Sequence, residues 1–208
     1  THEPVEQEAQ IRLMEELKNL NGEPSMLVLR PADAVETSVA WQMAMENTHT
    51  PTALILSRQD IKDLPAPAGS TRFDAAAAGA RRGAYTVINP DSRPDIILVA
   101  DGSEVSLLCE VAALLGAEGI RAAVVSAPSA GLFNIQDEAY KLSVLPSGIP
   151  QFGLTAGLPV TLRMIDGFHG EVFGLERFGA SAPYKILDEK FGFTPEQVLA
   201  RVRRTLGK

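Results

Sequence analysis

Apolar and polar positions alternate along the chain in two successive rounds. Residues 6–20 carry strong helix formers, and Asn21-Gly22 followed by Pro24 ends that stretch. Met26-Leu27-Val28-Leu29 is a short apolar run between Pro24 and Pro31, the pattern of a buried strand. Asp33 with Glu36 three positions on predicts a capped helix start, and Val35, Val39 and Met43 recur every four residues down one face. Residues 52–56 predict the next strand, which ends in Ser57-Arg58-Gln59. Residues 62–82, with Pro65, Pro67, Gly69, Ser70 and four consecutive alanines at 75–78, read as a surface connection. Residues 83–88 predict a strand, and Asn89-Pro90-Asp91-Ser92-Arg93-Pro94 a turn-rich linker that separates two units.

The second round starts with a strand at 95–100. It leads into a helix capped by Asp101 with Glu104 at the third position, whose apolar face carries Val105, Leu108, Cys109 and Ala112. A strand at 120–126, a loop with Pro128 and Gly131, a helix around 136–145, and strands at 151–155 and 171–174 follow. Thr194-Pro195-Glu196-Gln197 predicts the start of a last helix, with Val198, Val202 and Leu206 along one face. Strands alternating with helices imply an α/β fold with mostly parallel sheets covered by helices. The expected units are residues 1–88 and 95–208, joined by 89–94.

Composition narrows the function. Of 208 residues, 45% are hydrophobic and 22% charged, as in an ordinary globular protein. A formal net charge of −7 argues against general affinity for nucleic acid or anionic membranes. Local arginines can still hold an anionic substrate, because charges act mainly within a Debye length of about 8–10 Å. The single cysteine, Cys109, excludes an internal disulfide and favours a reducing compartment. No run of 18 apolar residues is present, and the first residues do not form a signal peptide, so the expected location is cytoplasmic.

Candidate chemistry is sparse. His2 is either a hydrogen-bonding or proton-transfer group or a surface histidine near a terminus. His49 and His169 sit in turns, and three scattered histidines with one cysteine have no metal-site spacing. Arg58 follows a strand, where ligands of open α/β sheets gather, and suits a phosphate or carboxylate as well as it suits a structural ion pair. Asp101-Gly102-Ser103-Glu104 has the wrong glycine spacing for a phosphate loop and reads as helix capping. Ser126 and Ser129 lack a nucleophile elbow, and Cys109 reads as a buried, inert thiol.

Several strings in order resemble the transketolase family: Thr1-His2-Glu3-Pro4-Val5-Glu6-Gln7, Leu29-Arg30-Pro31-Ala32-Asp33, Leu56-Ser57-Arg58-Gln59, Asp95-Ile96-Ile97-Leu98-Val99-Ala100-Asp101-Gly102-Ser103-Glu104-Val105, Ser143-Val144-Leu145-Pro146, Arg177-Phe178-Gly179-Ala180-Ser181-Ala182-Pro183 and Phe191-Gly192-Phe193-Thr194. The resemblance implies a partial pyrimidine-binding domain (1–88) and a small α/β C-terminal domain (95–208) with a mixed, mostly parallel sheet. It also implies a cytoplasmic, homodimeric transferase of the pentose phosphate pathway, which moves a two-carbon ketol unit between sugar phosphates using thiamine diphosphate and Mg. His2 matches the histidine at the reacting end of the sugar, and Arg58 the arginine that holds the substrate phosphate. The Gly-Asp-Gly string and paired asparagines that anchor the cofactor diphosphate and metal in the family have no match in this sequence. The expectation is therefore a C-terminal fragment, inactive alone and without bound cofactor. Its C-terminal domain is expected to serve packing and dimer contacts. The alternatives are dihydroxyacetone synthase, deoxyxylulose-phosphate synthase, or a non-enzymatic docking or dimerisation module.

Overall fold

Two apolar runs each seed a sheet, and the difference in their length decides how much each sheet organises. A computed structural model describes residues 4–67 and 69–208. In the first unit, helix α1 (Gln7–Glu16) precedes strand β1 (Leu27–Leu29). Helix α2 (Ala34–Glu46) then leads to strand β2 (Thr52–Leu54), which pairs with β1 in parallel, Leu27 opposite Thr52. Asp33 caps α2 by accepting from the Glu36 amide at 2.7 Å, as its spacing predicts. The Glu36 carboxylate reaches back to the Ala32 amide at 2.8 Å.

The connection expected over 62–82 contains a further helix, α3 (Arg72–Ala80). Thr71 caps it through the Asp74 amide, and Ala76 and Ala80 are buried. Alanine has the highest helix propensity, and the cap starts the helix behind the proline-rich stretch that hides it in the sequence. Arg72 ties α3 to α2 by donating to Asp33 at 2.7 Å and Glu36 at 3.1 Å.

Strand β3 (Tyr85–Ile88) forms where expected but belongs to the second sheet, antiparallel to β5 (Ala122–Ser126). The hydrogen-bonded unit therefore begins ahead of the linker expected at 89–94. Strand β4 (Ile96–Ala100) lies at the sheet centre and is followed by helix α4 (Glu104–Ala117). After β5 come helices α5 (Ala130–Asn134) and α6 (Glu138–Val144), then strand β6 (Gln151–Leu154). Helix α7 (Val160–Arg163), strand β7 (Glu171–Phe173), and helices α8 (Tyr184–Phe191) and α9 (Pro195–Thr205) complete the chain. The strand order is β3-β5-β4-β6-β7, with every neighbour pair parallel except β3–β5.

Side chains alternate across β4, so its unbroken apolar run fills two cores. Ile96, Leu98 and Ala100 face a core with Val105, Leu108 and Leu115 of α4 and Val198 and Val202 of α9. That core continues into Leu29, Val39 and Met43, so the two units share one apolar interior. Ile97 and Val99 point the other way, onto Phe133, Val144, Leu162 and Phe168.

Candidate active site cleft

A cleft of about 760 Å³ opens where the two units meet. Its walls include Pro4, Val5, Arg58 and Glu104. Arg58 stands just beyond β2, at the carboxyl end of a parallel pair, where strand geometry directs side chains toward a ligand. Its side chain is exposed and makes no ion pair or side-chain hydrogen bond among the described residues. His2 lies outside the described residues, but the chain that follows it, at Pro4 and Val5, lines the same cleft.

The cleft wall also holds a buried ion cluster, of which Glu8, Arg30 and Glu104 reach the lining. Arg30 follows β1 as Arg58 follows β2, yet its guanidinium is enclosed. It donates to Asp101 Oδ1 at 2.6 Å, Glu104 Oε2 at 2.5 Å and Thr155 Oγ1 at 3.3 Å. Arg12, only 1% exposed, donates to Asp101 Oδ2 at 2.7 Å and Glu8 Oε1 at 2.9 Å, and lies 3.6 Å from Glu15 Oε2. Four carboxylates, Glu8, Glu15, Asp101 and Glu104, thus surround two guanidiniums. An excess of buried negative charge favours a retained proton. Burial, reinforced by the Asp101 charge, raises Glu8 from 4.5 to about 7. Burial also raises Glu15. Asp101 is buried too, but Arg30 and Arg12 outweigh that and hold it below the usual carboxylate range.

This arrangement corrects the capping expected of Asp101 and Glu104. The residue that starts α4 is Ser103, which makes no side-chain cap bond, and both carboxylates turn to arginines instead. Gly102 makes room for them: its φ is +59°, and a Cβ there would stand 2.6 Å from Arg30 Nε. Arg12, Arg30 and Glu8 are not among the candidates that the sequence marks. The strand-end rule that marks Arg58 also marks Arg30 and Asp101, and Glu8, Arg12 and Glu15 share a helix face at spacings of four and three.

The other candidates fall elsewhere. His49 is exposed and borders a separate hollow of about 390 Å³ with Met26 and Met43. His169 is exposed, and its backbone amide donates to Gln151 at 2.7 Å. Cys109 packs against the core from α4, and burial pushes its thiol up to about 12. At the C-terminal helix, Arg203 pairs with Glu118 and Arg201 stacks 3.7 Å from the Phe173 ring. Among the described residues, no group of three or more His, Cys, Asp or Glu is arranged to hold a metal.

Two family models match the chain in order. One is the transketolase pyrimidine binding domain, over residues 1–63, and the other the transketolase-like TK C-terminal domain, over residues 83–194. A transketolase of Staphylococcus aureus (strain MW2) is 41% identical over 203 residues, 97% of this chain and 28% of the relative. One from Geobacillus stearothermophilus is 38% identical over 211 residues, 100% of this chain and 29% of the relative. The crystal structure of a Pichia stipitis transketolase in complex with sedoheptulose-7-phosphate superposes with a TM-score of 0.82 at 39% identity, covering 99% of this chain and 27% of that one. The chain thus spans under a third of the length of the relatives it matches. With both models in register and relatives about 40% identical over nearly all its residues, the chain belongs to the transketolase family.

Proposed function

We propose that this chain forms the phosphate-holding side of a transketolase. The parent enzyme would transfer a two-carbon ketol unit from a ketose phosphate to an aldose phosphate in the pentose phosphate pathway. The observation that carries this reading is Arg58, an exposed guanidinium without an anionic partner among the described residues, at a strand end in a 760 Å³ cleft. Such a planar cation binds phosphate through paired hydrogen bonds. The sugar phosphate complex of the Pichia stipitis relative supports that ligand class. In this reading His2 serves the reacting end of the sugar, and Pro4 and Val5, which follow it in the chain, line the cleft.

The family depends on thiamine diphosphate. The residues present do not suit that cofactor's diphosphate and Mg. Arg30 is already neutralised by Asp101 and Glu104, and the described carboxylates form no metal-holding group. We therefore assign cofactor and metal binding to other parts of the parent, and expect the 208-residue chain alone to be inactive. The unit boundary we propose falls within 64–82, between the two family matches and ahead of β3. The reading extends to a cytoplasmic homodimer. Exposed Trp41 and Met45 on α2 support a covered face, and no helix among the described residues is long and apolar enough to cross a membrane.

Kinetics of the full-length parent test the assignment. Arg58→Ala removes a charge-assisted contact of about 1.5–3 kcal/mol, so KM for a ketose phosphate should rise about 10–150-fold. An unphosphorylated ketol donor should be used as before. An unchanged KM for the phosphorylated donor overturns the role of Arg58. Cofactor-dependent ketol transfer by the isolated chain overturns the assignment of the cofactor elsewhere.

A further inference from the structure

The second unit contributes two buried carboxylates, Glu104 in the cleft wall and Asp101 beneath it, and neither is used by the function proposed above. Asp101 and Glu104 are 0% and 6% exposed. Between them they bind both cluster arginines of the first unit: Arg12 at 2.7 Å, and Arg30 at 2.6 and 2.5 Å. Those arginines in turn grip Glu8, at 2.9 Å from Arg12 and 3.4 Å from Arg30. Glu8 lies in the first turn of α1, directly after the cleft-lining segment that contains Pro4 and Val5. The loop after β6 closes over the same spot. The Ala156 amide donates to Glu104 at 3.2 Å, and a Cβ on Gly157 would lie 3.2 Å from Glu8 Oε2 and 3.7 Å from the Val5 carbonyl. An unbroken set of polar contacts therefore runs from the C-terminal unit to the segment that follows His2.

Stability alone does not account for such a cluster. Burying four carboxylates and two guanidiniums costs desolvation that their mutual attraction roughly offsets, and apolar residues would fill the space at least as well. What paired guanidinium–carboxylate contacts supply is a fixed direction. We propose that Asp101 and Glu104 are positioning residues for the transfer reaction, which fix the cleft-lining Pro4–Glu8 segment that follows His2 in the chain. This inference rests on the function proposed above. It gives the C-terminal unit a part in catalysis without placing any of its groups on the substrate.

A double-mutant cycle in the full-length parent separates positioning from mere stability. His2→Ala and Asp101→Asn should each lower kcat/KM for a ketose phosphate by about 10–100-fold, the scale of a misplacement of roughly 1 Å. The double variant should stay within about threefold of His2→Ala alone, because residues that act as one unit do not add. A structural defect would instead multiply with the loss of His2. Multiplying losses, or an Asp101→Asn enzyme within about twofold of the parent, overturn the proposal. If Asp101→Asn does not fold, Glu104→Gln at the cluster margin carries the same cycle. If His2→Ala and Arg58→Ala leave the kinetics unchanged, the proposed function itself is overturned. If they act as expected while the cycle multiplies, only the positioning role is overturned.

Discussion

Glu8→Gln should make the chain less sensitive to alkaline destabilisation. In the folded protein, burial and then the Asp101 charge raise this carboxyl from 4.5 to about 7. The fold therefore holds the Glu8 proton more tightly than the unfolded chain does. Its contribution is complete below pH 4.5 and is lost as pH rises through about 7. A displacement of that size is worth about 3 kcal/mol, of which roughly 2.5 kcal/mol falls between pH 5 and 8. Asp101 does not confuse the window. Its value is lowered by Arg30 and Arg12, so its contribution disappears only as pH falls below the ordinary 3.8. Glutamine imitates the protonated acid: it keeps the side chain's shape and carries no charge. Urea unfolding of the 208-residue chain, followed by far-UV circular dichroism at pH 5 and pH 8, reads the difference. The parent sequence should lose about 2.5 kcal/mol more than the variant over that range, close to 1 M in urea midpoint. Parallel pH curves for the two proteins would refute the retained proton and the excess of buried acid behind it.

Three further outcomes follow from local geometry. Cys109, raised by burial to about 12, should not react with a thiol reagent at pH 8 until urea unfolds the chain, and prompt reaction of the native protein would show the thiol to be open. Gly83 has φ +89°, and a Cβ there would stand 2.2 Å from the Phe133 amide nitrogen and 2.4 Å from the Ser129 carbonyl. Gly83→Ala should therefore cost more than about 3 kcal/mol, whereas Gly22→Ala, at φ +80° with open space around it, should cost about 1 kcal/mol; equal losses on unfolding would contradict the clash. The Tyr85 hydroxyl donates to Glu36 at 2.5 Å and accepts from Arg72 at 2.6 Å, so Tyr85→Phe should cost about 1–3 kcal/mol, and an unmoved denaturation midpoint would remove that bond from the account.

Many local signals were readable in the sequence where the structure answers them locally, α3 behind its proline-rich stretch being an exception. The apolar runs at 27–29 and 96–100 form strands, and Asp33 and Thr194 cap the helices their spacing announces, each through the amide three residues on. Signals whose answer lies far away were not readable. Glu104 stands three residues after Asp101, as a capping pair would, but their partner Arg30 is 74 and 71 positions distant. Spacing along the chain does not say which use wins. Burial decides it, because a buried guanidinium needs counter-charge more than a helix start needs one extra acceptor. Strand β3 follows the same logic: its own residues show that it is extended, and only β5 settles which sheet receives it.

Arg30 and Arg58 illustrate the point at the site itself. Each follows a strand of the same parallel pair, so the strand-end rule gives both the same expectation. The second unit separates their roles. It brings Asp101 and Glu104 onto Arg30, whose charge is thereby neutralised and built into the wall, and leaves Arg58 facing the cleft. The choice between ligand and structural ion pair, left even for Arg58 by its position in the sequence, thus turns on where the carboxylates of the C-terminal unit fall. A chain in which Asp101 and Glu104 were both made neutral should accordingly gain an anion-binding guanidinium at Arg30, beside the one proposed at Arg58. Binding of inorganic phosphate to the Arg58→Ala form, with and without the two neutral substitutions, would show it as an affinity present only in the triple variant.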